Sequence, residues 1–392
     1  MADTFTTVST TSYFGRIRNA IVGFILGPIL LLVACWLIFW NESHSVRVTK
    51  SLKEGAASVV EAQDFNAGND GKLVHVTGDT ATEGTLRDGE FGVEAQGIRL
   101  TRNVLVYAWT EKESTSSTTN AAGTKKTTKT YKYQKEWVSA LPRSSNFKEQ
   151  EGHENPSRVK YKSKSFAAEK VTLAGYTLDS ELVEKLTDTK PVSLEKDKVE
   201  VPDGATLNDD EIYVGSDRSN PEVGDLRISE VVVANGPVSV VAGQGGHARL
   251  APFRTKAGEP IALIERGTKS AGEMFANAHS ANRTFTWLAR LGAFVLLLIG
   301  FLLLLGPLST MSSIVPFLGG IFEAGMFLIS FLGAIVVWAL LTAAAWMVAR
   351  PIVGGLLFVL GIGALVLAIR HIRRGAAKRR EQALSSAKPA TA

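Results

Sequence analysis

Two long stretches with almost no charge dominate this sequence. Residues 20–40 contain no charged side chain, and residues 291–369 contain only Glu323 and Arg350. Most of the charged residues lie between these stretches, in 41–286. A transmembrane helix needs about 20 predominantly apolar residues. The pattern therefore excludes a soluble globule or a disordered chain and predicts an integral membrane protein with one large water-exposed domain.

The apolar stretches divide into four predicted transmembrane helices, one N-terminal and three C-terminal. The second stretch is broken at Gly306-Pro307, at the poor helix former 309–320, and at the tight turn Arg350-Pro351. A cleaved signal peptide is the alternative for the first stretch, but no small residues of a cleavage site follow it. The predicted spans are 20–40, 288–308, 322–348 and 351–369, the last three within a helical segment 287–369.

Basic residues flank both ends of the predicted membrane region. Arginines precede the first span, and a cluster of arginines and lysines follows the last span within 370–380. Because basic residues favour the cytoplasmic side, we expect both termini, 1–19 and the tail 370–392, to be cytoplasmic. The domain 41–286 then faces a periplasm or an organelle lumen. The net charge of +5 arises from these flanks, so the expected partner is the lipid bilayer and not nucleic acid.

The domain between the spans contains many short strand-like segments separated by glycine and aspartate. Several alternate with period two, as in Tyr131-Lys132-Tyr133, which indicates mainly antiparallel sheet. The predicted fold class is therefore an α+β membrane protein with a large extracytoplasmic β domain. Residues 111–130, rich in Ser, Thr and Lys, are predicted to form a mobile loop between strands 104–110 and 131–138. Cross-strand aromatic contacts are expected among Tyr107, Trp109, Tyr131 and Tyr133.

Two segments have the pattern of a helix N-terminus. Ser51 with Glu54, and Ser270 with Glu273, each match a capping box, in which the two side chains satisfy free backbone N–H groups. They predict a short helix after the first span and a second helix that begins near residue 270 and runs into the second span.

No arrangement typical of catalysis or metal binding occurs in the sequence. The histidines are scattered, and the single Cys35 lies inside an apolar stretch, so neither a metal site nor a disulfide framework is predicted. We expect no enzymatic activity, no catalytic residues and no cofactor. A membrane hydrolase is an alternative that loss of function on changing His75, His153 or His247 would favour.

Glu323 and Arg350 are of interest because charges at membrane depth are costly and often functional. Glu323 lies at the predicted start of the third span, where an interfacial position and a proton or ion relay are the alternatives. Arg350, followed by Pro351, is interpreted as a structural anchor for headgroups, the domain or helix-end carbonyls, with a transport role as the alternative.

A series of short motifs runs through most of the chain. It includes Trp40-Asn41-Glu42, then 223–227, 250–258 and 270–275, and it closes with Trp346 and Arg350-Pro351. In this order the motifs resemble the transmembrane protein 43 (LUMA) family. The structural or interface candidates are Trp40, Asn41, Glu42, Glu323, Trp346, Arg350 and Pro351.

The resemblance implies the same four-span plan and a role in organising membrane protein complexes. For eukaryotic members, located in the endoplasmic reticulum and inner nuclear membrane, it implies self-association and contacts with lamins and emerin. The Ala- and Gly-rich composition favours a bacterial member in an inner membrane, with its domain in the periplasm. We predict a non-enzymatic scaffold that binds partners or copies of itself. A small transporter or channel formed by the C-terminal helices is the alternative.

Overall fold

The computed structural model describes residues 3–119, 124–195, 199–312, 316–349 and part of 355–370. The chain forms two compact units, each with its own hydrophobic core. The β unit consists of Met1–Ser9, Lys50–Ser117 and Thr127–Ser280, and the helical unit consists of Thr10–Thr49, Thr118–Lys126 and Ala281–Ala392.

Long helices form the membrane region. The helices are α1 (Tyr13–Ser58), the short α2 (Ser180–Glu184), α3 (Ala271–Ser312) and α4 (Pro316–Ala349). Among the described residues, three stretches are long and apolar enough to cross a membrane: Phe14–Ser58, Ala271–Leu308 and Ala324–Met347. The structure thus confirms a membrane protein with one N-terminal and two C-terminal spans, where four spans were predicted. The fourth, 351–369, is only partly described.

The two predicted capping boxes have different outcomes. Ser51 does not begin a helix, because α1 continues through it to Ser58, and its hydroxyl oxygen lies 2.6 Å from that of Thr255. Ser270 does precede α3, and its Oγ accepts a hydrogen bond of 3.2 Å from the backbone N–H of Glu273. The same local pattern is therefore used for a tertiary contact in one place and for a cap in the other.

The predicted breaks after the second span are wrong for the described residues. Pro307 lies inside α3, which continues to Ser312, and α4 already begins at Pro316. Within a membrane region, helical hydrogen bonding is the way to satisfy backbone polar groups, so helix is favoured even beside proline and glycine.

The β unit is built from short strands. They are β1 (Asp3–Thr11), β2 (Val60–Glu61), β3 (Leu73–Thr82), β4 (Leu86–Asp88), β5 (Val93–Ala95), β6 (Arg99–Thr119), β7 (Lys125–Val138), β8 (Lys164–Ala167), β9 (Val171–Leu173), β10 (Tyr176–Leu178), β11 (Lys190–Pro191), β12 (Ala205–Asn208), β13 (Glu211–Val214), β14 (Leu226–Val233), β15 (Pro237–Gly245), β16 (Arg249–Ala251), β17 (Phe253–Arg254), β18 (Pro260–Ile261) and β19 (Leu263–Arg266).

Two large sheets contain most of these strands. In the described chain, one has the order β1-β7-β6-β14-β13-β12, with β8 on β6 and β11 on β14; the other has the order β19-β15-β16-β10-β9-β3-β2, with β15 also on β3. The pairs β2–β3 and β10–β16 are parallel, whereas the central pairs such as β6–β14 and β3–β15 are antiparallel. On one face, Leu226 and Ile228 of β14 are buried with Val104 and Val106 of β6, as the alternation of a strand requires. The prediction of a mainly antiparallel domain is confirmed.

The predicted mobile loop 111–130 is instead the outer part of a long hairpin, as far as residues 119 and 125. Threonine favours strand, and oppositely charged side chains face each other across the hairpin. Lys129 lies 2.7 Å from Glu113, and Lys112 lies 3.2 Å from Glu136. Low complexity therefore did not exclude regular structure, because the repeated residue types are good strand formers.

The aromatic residues of this hairpin have other partners than expected. The rings of Tyr107 and Trp137 lie 5.2 Å apart. Tyr133 stacks on His153 at 3.9 Å, and Trp109 meets the same imidazole edge-on at 4.8 Å. A histidine from the following loop therefore joins the aromatic side chains of the two strands.

The N-terminal strand β1 pairs with β7 of the β unit. This pairing is at odds with the expectation that residues 1–19 and 41–286 lie on opposite sides of a bilayer, because a sheet cannot be divided by hydrocarbon. The orientation of the termini therefore stays a prediction.

Candidate functional site

A buried ion pair joins two membrane helices of the helical unit. Glu42 follows directly on the apolar run of α1, and Arg290 lies at the start of the apolar run of α3; their exposed fractions are 2% and 8%. Arg290 Nε lies 2.6 Å from Glu42 Oε1, and Arg290 Nη2 lies 2.8 Å from Glu42 Oε2. The guanidinium therefore binds the carboxylate in the bidentate geometry that gives the strongest ion pairs.

Two tryptophans of α4 complete the site. The indole N–H of Trp346 donates to Glu42 Oε2 at 2.7 Å, and the indole N–H of Trp338 donates to the Arg290 carbonyl at 3.1 Å. The Arg290 guanidinium also lies over the rings of Trp287 and Trp346, at 4.8 and 5.5 Å from their centroids. The contacts of Trp346 and Trp287 favour the desolvated anion and cation, because indole offers both a donor and an electron-rich face.

A row of uncharged polar groups extends the site along α1 and α3. Asn41 Nδ2 donates to the Thr286 carbonyl at 3.3 Å, and the Thr286 hydroxyl oxygen lies 2.8 Å from that of Ser45. Asn282 Nδ2 donates to the Ser45 carbonyl at 3.1 Å. These bonds fix the rotation of the two helices about their axes, since each involves a side chain that must point at the neighbouring helix.

Close backbone packing supports the same helix pair within the apolar span. A Cβ added at Gly27 would lie 2.8 Å from the Gly300 carbonyl oxygen, and one at Gly300 would lie 2.7 Å from a Leu31 methyl carbon. Glycine at such a crossing lets membrane helices approach closely enough for dispersion to act. The two helices that carry the ion pair therefore also pack with their backbones close together within the apolar span.

Chemically, the arrangement holds helices together. Both oxygens of Glu42 accept hydrogen bonds from side chains of other helices, which leaves the carboxylate facing fixed donors. Removing one partner of a buried ion pair costs about 3–5 kcal/mol, because the other charge is then left uncompensated. The site thus couples the positions of α1, α3 and α4.

The structure brings together three of the predicted candidates: Asn41, Glu42 and Trp346. Trp40 lies beside them in sequence but points outward with 39% of its surface exposed, stacked on Trp36 and His44. Glu323 lies in α4, and nothing of its side chain is described. The remaining candidates, Arg350 and Pro351, lie outside the described residues.

Arg290 and Trp338 were missed by the sequence analysis. Arg290 was not among the candidates, because the nearly uncharged stretch begins at residue 291, directly after it. A usable signal existed: Glu42 ends the first apolar run and Arg290 begins the second, so opposite charges occupy equivalent depths at the ends of neighbouring spans. A pairing rule for charges at span ends would have found them.

The β unit has a second buried charged cluster, between β4, β6 and β14. Arg102 on β6 is the cross-strand partner of Glu230 on β14. Arg102 Nη1 lies 3.1 Å from Asp88 and 2.5 Å from Glu90. Arg102, Asp88 and Glu230 are exposed by 3%, 1% and 2%. The cluster therefore contains more carboxyl groups than cations.

The surplus carboxyl group is Glu230. In the carboxylate form, neither oxygen of Glu230 has a hydrogen-bond partner. One oxygen of Asp88 also lacks a hydrogen-bond partner. Burial and, to a lesser extent, the neighbouring Asp88 raise the pKa of Glu230 to about 8, against the opposing effect of the Arg102 charge. A protonated Glu230 can donate to Asp88, which gives one oxygen of each group a hydrogen-bond partner.

The histidines of the hydrolase alternative have structural contacts. His75 Nδ1 lies 2.5 Å from Glu61 Oε2, and His75 Nε2 lies 2.9 Å from the Lys269 carbonyl. His153 Nδ1 lies 3.2 Å from the Glu149 carbonyl oxygen, and it packs between aromatic rings. His247 lies in a turn with a positive φ of 59°. Among the described residues, no group of three potential metal ligands occurs.

Together these features define an integral membrane protein in which a polar, ion-paired helix junction accompanies a large and mainly antiparallel β domain. The family model for transmembrane protein 43 matches residues 106–351 of the chain.

Similarity to curated proteins extends over almost the whole chain. The chain is 31% identical to human transmembrane protein 43 over 360 residues, which cover 88% of this chain and 89% of that protein. It is 30% identical to the rat protein over 370 residues, with coverage of 91% and 92%, and 27% identical to the Drosophila melanogaster homolog, with coverage of 89% and 94%. The chain belongs to the transmembrane protein 43 family. No solved structure matches it.

Proposed function

We propose that this protein is a non-enzymatic membrane scaffold, which binds other membrane proteins or further copies of itself through its β unit. The helical unit supplies a fixed membrane frame. This function requires helices whose mutual positions do not change when a partner binds.

The observation that supports the proposal is the Glu42–Arg290 pair with its Trp346 hydrogen bond. Three helices, distant in sequence, meet at one buried carboxylate whose oxygens are both bound. A site that moved a proton or an ion across the membrane would need this carboxylate to release its partners in each cycle. A scaffold, in contrast, needs this carboxylate to keep its hydrogen-bond partners.

Chemical cross-linking from native membranes, followed by mass spectrometry, tests the proposal. The tagged full-length chain should recover a defined set of membrane proteins or a defined oligomer. Arg290→Leu should lose that set, because the frame is loosened. The matched control is Arg283→Leu, an exposed arginine on the same helix, which should leave the set unchanged.

Ion flux in proteoliposomes distinguishes the scaffold from the transporter or channel alternative. The scaffold predicts no flux above that of protein-free liposomes for the wild type and for both variants. Flux that depends on Arg290 would overturn the proposal and assign the buried pair to transport.

The side of the membrane at which partners bind depends on orientation, for which we propose cytoplasmic termini and an extracytoplasmic β unit. Single cysteines at Thr6 and Ser216, in a Cys35→Ala background, report on it through a membrane-impermeant thiol reagent. If the reagent reaches the two cysteines from opposite sides of the membrane, the result supports α1 as a span and β1 as unpaired from β7. Equal accessibility from one side would support the β1–β7 pairing and refute the proposed orientation.

A further inference from the structure

A cavity of about 750 Å³ opens in the β unit, between strand β6 and the segment that connects β7 to β8. Its volume lies within the range of roughly 300–1,000 Å³ that is typical of small-molecule sites. It differs chemically from both buried charged clusters, because its walls combine an apolar floor with a basic opening.

The floor is made of side chains from the hydrophobic core. Val104 and Val106 point to the same face of β6, and Tyr161 is buried beside them. Together with the partly buried Leu141 and Val159, which also line the cavity, these residues offer an apolar surface on which a hydrocarbon chain can replace water. Such replacement is favourable by roughly 25 cal/mol for each Å² of apolar area that is removed from water.

The opening of the cavity carries positive charge. Arg143, Arg158 and Lys162 all line it and are exposed, and none of them has an ion pair within the part of the chain that the structure describes. The lining contains no aspartate or glutamate. Three unpaired cations beside an apolar floor match a ligand with a negative head and an apolar body.

The wall opposite β6 is a long connection, residues 139–163. Apart from the short 3₁₀ turn Ser144–Asn146 it contains no helix or strand. Connections of this length without regular structure are uncommon in compact domains and are usually functional. Its position is fixed by Asn155, which accepts from the Trp109 N–H at 2.8 Å and donates to the Trp109 carbonyl at 2.9 Å. The cavity is therefore pre-formed.

We propose that this cavity binds a single-chain anionic amphiphile, namely a long-chain fatty acid or a lysophospholipid. The hydrocarbon chain lies over Val104, Val106 and Tyr161. The carboxylate or phosphate lies among Arg143, Arg158 and Lys162, whose N–H groups donate to it. Membrane association of the protein places such molecules within its reach.

Photolabelling tests this site on the full-length protein in nanodiscs of phosphatidylcholine, with a diazirine analogue of palmitate as the probe. Mass spectrometry should locate adducts in peptides that contain 104–106 or 139–163. Excess palmitate or lysophosphatidic acid should compete, and the stronger competitor identifies the head group. The neutral monopalmitoylglycerol should compete at least about tenfold less well, since it lacks the charge that the opening recognises.

A charge-reversal variant, Arg143→Glu with Arg158→Glu and Lys162→Glu, should reduce labelling about tenfold. The matched control reverses three exposed lysines outside the cavity, Lys132→Glu with Lys190→Glu and Lys256→Glu, and should label like the wild type. Circular dichroism melting should show both variants folded. Adducts confined to the membrane helices, equal labelling of the two variants, or equal competition by the neutral lipid would overturn the proposal. These outcomes do not depend on the scaffold function, which rests on other residues and another assay.

Discussion

The helical unit and the β unit both bury charged side chains, but they balance them differently. In the helical unit one acid, Glu42, meets one base, Arg290, and both carboxylate oxygens are bound. In the β unit one base, Arg102, meets two fully buried acids, Asp88 and Glu230. The first cluster is matched in charge, whereas the fully buried part of the second has one acid more than it has bases.

This difference has a consequence for the β unit. A matched pair leaves neither buried charge without a partner, so it acts as a fixed connection between helices. A surplus buried acid is stable mainly in its neutral form, which makes the cluster depend on proton concentration. The ratio of acids to bases in a buried cluster, more than its burial, therefore determines whether the stability of that cluster should depend on pH.

The largest effect is expected on breaking the matched pair. Arg290→Leu should lower the free energy of unfolding of the helical unit by about 3–5 kcal/mol, because Glu42 is left buried without its cation. Thermal unfolding in detergent measures the loss. The double variant Glu42→Met with Arg290→Leu should recover most of the stability. A single variant as stable as Arg283→Leu would show that the pair contributes no such tie.

Removing the cation of the other cluster should cost somewhat less. Arg102→Met should lower the free energy of unfolding of the β unit by about 2–4 kcal/mol at neutral pH, since the acids can reduce the damage by binding protons. The loss should grow as pH rises. Arg87→Met, which changes an exposed arginine nearby, is the control and should change stability by less than about 0.5 kcal/mol. A loss for Arg102→Met that is independent of pH would contradict the surplus-acid description.

The surplus acid itself predicts a pH dependence. The folded pKa of Glu230 is raised to about 8 from an ordinary value of 4.5, so between these values the folded state holds a proton that the unfolded state has released. Stability therefore falls as pH rises through this window, by about 2–3 kcal/mol between pH 5.5 and 7.5. Denaturant unfolding at several pH values should show the slope in the wild type and a flatter profile in Glu230→Gln. An unchanged slope in Glu230→Gln would assign the dependence to other groups.

The smallest effect concerns the third helix at the matched pair. Trp346→Phe keeps an aromatic ring but removes the N–H that donates to Glu42, so a loss of about 1–2 kcal/mol is expected. The melting temperature of the helical unit measures it. Trp36→Phe, at an exposed position of α1, provides the control. Equal melting temperatures for the two variants would show that the Trp346 hydrogen bond contributes nothing to the junction.

The parts of the fold that local sequence determines were predictable. Apolar runs predicted four membrane helices, of which the described residues show three. Ser270 predicted the start of α3, and period-two alternation predicted an antiparallel domain. Residues 111–130 were misread because their composition suggested a loop, while cross-strand pairs such as Glu113–Lys129 stabilise a hairpin. Ser51 was misread because a capping pattern does not show that the preceding helix continues.

The candidate site was predictable only in part, for a different reason. Asn41, Glu42 and Trp346 were named from motifs, but nothing local assigns Glu42 to Arg290, since a pairing of this kind is decided by helix packing. The same holds for Glu230, which reads as an ordinary alternating strand residue. Its raised pKa follows from burial and from the neighbouring Asp88 on another strand.

The separation of the matched pair in the chain also has a consequence for biosynthesis. Arg290 follows Glu42 by 248 residues. At about 5–20 residues per second, a ribosome needs roughly 10–50 s to deliver the arginine after the glutamate. During that interval every nascent chain carries an acid at the end of its first span without the base that will bind it. The pair can therefore close only after the first half of α3 has been made, and a chain terminated before residue 290 can never form it.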